Sequence, residues 1–140
     1  MKNILLILSL LFSICTWSQS PVGIWQTKDD NTGEAKSHVE ISEKGGTVTG
    51  QIVKLLLSDP NSLCDKCKGE FKNKPVLGLD IIQKLKRKGE KWSGGTIMDP
   101  ENGKSYKCSI WFEDEDAKTL YVRGKHWTGL YRTQTWTRVE

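Results

Sequence analysis

The sequence predicts an all-β fold, an up-and-down antiparallel barrel of about eight strands. Three observations carry that expectation. Beyond the first eighteen residues, no stretch keeps apolar residues at helical spacing over three turns, whereas period-two segments of β-branched and aromatic residues recur. Turn signals rich in Gly, Asn and Asp separate those segments at short intervals. Finally, sequentially joined short strands leave two exposed edges unless the sheet closes on itself. An open sandwich is the alternative.

The strands are expected near Val22–Lys28, Ala35–Ser42, Thr47–Leu55, Leu77–Leu85, Lys91–Met98, Ser105–Glu113, Thr119–Gly124 and Tyr131–Val139. Between them, Asp30-Asn31-Thr32-Gly33, Lys44-Gly45-Gly46, Lys88-Gly89 and Asp99-Pro100-Glu101-Asn102-Gly103 suit tight reversal, as does the acidic turn Asp114–Asp116. Gly and Asn accept positive φ there, and Asp bonds its own backbone. One connection, roughly Ser58 to Val76, is long enough to form a lid or flap and contains Pro60, Pro75 and two cysteines.

Composition agrees with one small domain. The chain has 140 residues, 27% of them charged and 36% hydrophobic, which excludes a disordered tail and a membrane bundle. It is too short for a barrel of strand-helix units. The first residues read as a leader: Lys2, an apolar run from Ile4 to Cys15, then small residues at Thr16 and Ser18. That run is too short to span a bilayer stably. Residues 1–18 are therefore expected to be a cleaved secretory signal, and residues 19–140 a single barrel domain. Lipidation at Cys15 is disfavoured by Ile14 before it, and a retained anchor by the run's length. The product is expected to be periplasmic or secreted rather than an integral membrane protein.

The formal net charge is +4, and Lys2 goes with the leader, so the domain keeps only a weak basic bias. That excess is too small for a nucleic-acid footprint. Lys66, Lys68, Lys72 and Lys74 form one basic cluster, Lys84, Lys86, Arg87 and Lys88 another, and Glu113 to Asp116 an acidic one. Such short blocks ordinarily face solvent.

Strand parity assigns faces. Tyr106, Cys108, Ile110 and Phe112 share one, and Leu120 with Val122 share another. In the last strand Arg132, Gln134, Trp136 and Arg138 fall together. If Trp136 points inward, two guanidinium groups start on the inner face as well. They need internal carboxylates or a bound anion. For Arg138, stacking over a tryptophan to plug one end of the barrel suffices; Arg132 stays open between the two.

Gly23-Ile24-Trp25 in the first strand and Arg138 in the last resemble the lipocalin-like arrangement, in which such a Trp and Arg close the barrel base. Over nearly its whole length the mature chain also resembles the exported bacterial family called domain of unknown function 2147. The resemblance rests on Gly23-Ile24-Trp25, Lys74–Leu79, Trp92–Pro100, Asn102–Tyr106 and Gly129–Arg138. It implies a small exported β-barrel, with Gly23, Trp25, Trp136 and Arg138 as closure residues, and no established reaction. The chain stops just after its last strand, without the helix that packs outside ordinary lipocalins, which leaves their ligand cavity unguaranteed.

Cys64-Asp65-Lys66-Cys67 is the sharpest local motif. A disulfide between Cys64 and Cys67 is the simplest outcome in an oxidising compartment. A redox pair would want a helix N-terminus, and a zinc site would want two more ligands, with only the scattered Cys108, His38 and His126 to draw on. Cys108 is read as a buried free thiol. His38 belongs to an outer face. His126 sits in a turn at a barrel mouth, where contact with a ligand and plain exposure are both open. Asp99 and Glu101 are explained by their turn, and no nucleophile elbow or phosphate loop occurs. No enzyme, cofactor or metal is expected.

Of the mature tryptophans, Trp25 and Trp136 are assigned to the core. Trp127 is the better pocket or partner candidate, and Trp111, outward by parity, a candidate contact surface. The expected function is binding of a small apolar or amphipathic molecule by an exported barrel, with Trp127, Arg132, Gln134 and Tyr106 as candidate ligand residues. The alternative is an interaction or structural module of the cell envelope without a ligand cavity, for which no protein partner can be named.

Overall fold

The computed structural model describes residues 19–139, so the expected leader lies outside the described residues. Eight strands follow in order: β1 (Gly23–Lys28), β2 (Ala35–Lys44), β3 (Thr47–Leu55), β4 (Asp80–Lys88), β5 (Lys91–Asp99), β6 (Lys104–Trp111), β7 (Thr119–Lys125) and β8 (Tyr131–Arg138). Each pairs antiparallel with the next, and β8 returns to β1, closing the barrel. The seam is short, with Trp25 opposite Arg138 and Gln26 opposite Thr137. No described helix is long and apolar enough to cross a membrane.

Seven of the expected strands differ from the observed ones only at their ends; the fourth starts three residues late. Gly78, at φ 95°, donates its N–H to Ile52 O, and Leu79 is buried but accepts from Ile52 N–H outside the regular ladder. Leu77 to Leu79 thus complete the long connection instead of opening β4. Within β4, Lys84 has φ 61°, so Ile81, Ile82 and Leu85 are all buried around the irregularity. β5 meets that kink with Gly95, where a Cβ would lie 1.9 Å from Gln83 O. Only glycine lets the two backbones approach so closely.

The barrel has two unlike ends because of what its strands turn inward. At the end holding the termini and the β2–β3, β4–β5 and β6–β7 turns, the core is large and apolar. Trp25, Ile41, Leu85, Ile110 and Leu120 are fully buried there. The rings of Trp25 and Trp92 pack on Phe112 at 5.9 and 6.1 Å between centroids. Aromatics of this size contribute on the order of several kcal/mol each through burial. Arg138 caps this end. Its guanidinium lies 4.2 Å from the Trp25 ring centroid and donates to Ser20 O, Val22 O and Ala117 O, all at 2.9 Å. Trp25 in turn donates its indole N–H to Pro21 O at 2.8 Å. Arg138 and Trp25 thus plug this end together, while Trp136 lines the cavity beyond.

Trp111 corrects an expectation. Parity does place it outside the barrel, but it offers no free contact surface, being only 8% exposed. Tyr121 stacks on it at 5.7 Å, and Lys91 and Arg123 lie against its ring at 4.3 and 4.9 Å. An outward indole loses water most cheaply by collecting such neighbours from adjacent strands.

Candidate ligand cavity

At the other end, formed by the β1–β2, β3–β4, β5–β6 and β7–β8 connections, the inward residues are smaller. Thr27, Ser37, Gly124 and Val122 stand where the closed end has tryptophan and leucine. The space they leave is a cavity of about 1240 Å³, open to solvent. Ile52, Ile81, Val122 and Met98 give it apolar walls, and the buried Trp136 lies at its base. Thr27 and Ser37 hydroxyls bond one another at 2.7 Å, so this buried polar pair satisfies itself beside the cavity.

A directed chain of hydrogen bonds climbs one wall. Trp136 Nε1 donates to Gln134 Oε1 at 3.0 Å, which fixes the amide so that its Nε2 donates to both Asp30 oxygens, at 3.0 and 2.9 Å. Arg132 Nη1 then donates to Asp30 Oδ2 at 2.7 Å. Arg132 therefore finds its counter-charge in Asp30, at the exposed rim of the opening. Because the pair is well exposed, its contribution to stability is modest; it orients groups at a mouth where a ligand's polar end must pass. Across the opening, Lys36 bridges Glu101 at 2.9 Å.

The expected ligand residues divide. Arg132, Gln134 and Tyr106 all line the cavity, brought together from β8 and β6. Trp127 does not; it is 84% exposed and lines a separate groove beside the mouth. His126 lines both spaces, with Nδ1 bonded to Thr128 Oγ1 at 2.9 Å and its ring 6.3 Å from that of Tyr106. His38 sits on the outer face, bonded to Gln26. Asp30 was missed, since the reversal Asp30–Gly33 explained it locally. The signal that could have found it is the unpaired charge expected of an inward Arg132, together with the turn's position at the same barrel end.

The long connection forms part of the rim. Leu63 pairs with Pro75, and Cys64 N–H donates to Lys74 O at 2.7 Å, folding this connection on itself. Cys64 and Cys67 are disulfide-bonded, and both are buried. Their sulfurs lie 3.6 Å from Pro100 O and from Met98 Sδ. Beside them Lys66 O sits directly on Gly103, where a Cβ would be 1.9 Å away. The disulfide thus holds the connection against the β5–β6 turn, leaving Leu63 and Val76 facing the cavity. Cys108 is free and buried in the barrel wall, and burial pushes its thiol up to about 12. Among the described residues no cluster of His, Cys, Asp and Glu is arranged to hold a metal.

No curated protein matches the chain. Among solved structures it is similar to one described as protein HP1028 from the human pathogen Helicobacter pylori, which belongs to the lipocalin family. That similarity has a TM-score of 0.73 at 18% identity, covering 86% of this chain and 84% of the other. At that identity it establishes the lipocalin-like barrel and nothing about a ligand. The sequence model of one family spans residues 23–138, both halves of the Trp25–Arg138 closure included; the chain belongs to the family described as uncharacterized proteins conserved in bacteria, domain of unknown function 2147.

Proposed function

We propose that this protein is an exported carrier that binds a small molecule with an apolar body and an uncharged or zwitterionic polar end. The observation that carries this reading is the half-filled barrel. One end is packed solid by Trp25, Trp92 and Phe112, while the other holds about 1240 Å³ between apolar walls and a polar mouth. Small-molecule sites characteristically combine a mostly apolar lining with a few placed polar groups. Asp30 pairs with Arg132 and Lys36 with Glu101, and the further charges lining the mouth, Lys28 and Lys66 against Asp29, Asp65 and Asp99, are of both signs, which favours a ligand with no large net charge. A buried disulfide and the leader-like first residues favour an oxidising compartment.

Titration with an uncharged hydrophobic dye tests the proposal. Val122→Phe, which fills the cavity from β7, is expected to weaken dye binding about tenfold or more while the fold persists. Equal binding by both chains would place the dye elsewhere and remove the support.

A further inference from the structure

We propose that the open end of the barrel docks on an anionic lipid bilayer through a basic, aromatic face beside the cavity mouth. The groove there, about 510 Å³, is lined by Lys68, Lys104, Lys107, Lys125, His126 and Trp127, and no carboxylate lines it. Lys107 and Lys125 stand directly opposite one another across β6 and β7. Like charges so placed disfavour the sheet, and among the described residues neither has a carboxylate partner. Lys88 and Lys91 oppose each other in the same way at the other end; what sets Lys107 and Lys125 apart is the basic groove and the exposed aromatics around them.

The apolar part lies at the same end. Trp127, Leu130 and Tyr131 are 84%, 76% and 61% exposed in and beside the β7–β8 turn. Indole and phenol rings next to lysines match the chemistry of a bilayer interface, with rings at headgroup depth and ammonium groups on phosphates. The opposite end mixes its charges, with the run Glu113–Asp116 in the β6–β7 connection and Arg87, Lys88 and Lys91 around the β4–β5 turn, so the uniformly basic surface is this groove. An anionic membrane would attract that groove face in particular. Leu130, Tyr131 and His126 also line the cavity, so docking would bring the cavity mouth to the lipid.

Sedimentation with vesicles tests this on the chain without its leader. Partition into phosphatidylcholine vesicles containing about 30% phosphatidylglycerol should exceed that into pure phosphatidylcholine about tenfold or more at low salt. It should fall steeply as salt rises. Lys125→Glu converts the repulsive pair into an attractive one, so thermal stability should hold or rise while anionic partition drops about tenfold. Trp127→Ser should lower partition with unchanged stability. Equal partition into both vesicles, wild-type partition by Lys125→Glu, or retention on heparin without vesicle binding would each overturn the proposal. Lys125 does not line the cavity, so dye binding on the same samples tells failure of docking apart from failure of the carrier reading.

Discussion

Arg138 lies over the ring of Trp25, 4.2 Å from its centroid, and the two residues face each other across the seam that closes the barrel. One contact thus joins the first strand to the last and seals the solid end. Burial lowers the Arg138 pKa, yet three carbonyl acceptors and the indole face hold its charge. Arg138→Ala is expected to cost about 2–3 kcal/mol in urea unfolding. Arg138→Lys should recover only part, because an ammonium cannot fork to three carbonyls while lying flat on indole. A double-mutant cycle with Trp25→Leu should give a coupling near 1 kcal/mol.

The long connection should respond separately from the barrel. Replacing Cys64 and Cys67 by serine removes a short closed loop, for which chain entropy predicts a loss of about 2 kcal/mol. Gly103→Ala pushes a methyl group into Lys66 O and should release the same segment without touching the disulfide. Both chains are expected to be cleaved by trypsin at Lys66 or Lys68 well before the strands. Cleavage patterns like that of the parent chain would show that neither feature holds the segment down.

Cys108 sets a pH dependence. Its folded pKa, about 12, lies above the ordinary 9.0, so the folded state holds the proton more tightly than the unfolded chain does. The associated stability is fully present below pH 9 and is lost progressively as pH rises toward about 12. Cys108→Ala should be less stable near neutrality, with a shallower alkaline decline, as read from urea midpoints across pH. In the parent chain the thiol should resist modification until the protein unfolds.

At the acid side the β1–β2 turn contributes. The Asn31 and Thr32 N–H groups donate to Asp29 Oδ1 and hold its carboxyl below the ordinary 3.8. That contribution is present above pH 3.8 and disappears as pH falls below it. Asp29→Asn should narrow the difference in thermal midpoint between pH 5 and pH 3.

The strand pattern was legible because period-two alternation and turn residues are local signals, and strands such as Thr47–Leu55 obey them as far as Ile52, where a bulge shifts the parity. The start of β4 was not, since Val76-Leu77-Gly78-Leu79 looks like a strand, and only Gly78 bonding to Ile52 shows otherwise. Parity likewise put Tyr106, Arg132 and Gln134 on inner faces, where they line the cavity. What parity cannot supply is a partner distant in sequence. Asp30 meets Arg132 only because the barrel closes, and Trp111 is covered only because Lys91, Tyr121 and Arg123 come from two neighbouring strands. The balance between large residues at one end and Thr27, Ser37 and Gly124 at the other makes the cavity, and that balance becomes visible once strand register is known.

Native mass spectrometry of freshly purified protein, before and after organic extraction, tests most directly whether the open half of the barrel holds a molecule. The carrier reading predicts a discrete excess mass of a few hundred daltons. It should be removed by extraction and absent from Val122→Phe purified alongside. The bare polypeptide mass at every stage, with no dye bound by the extracted chain, would contradict it.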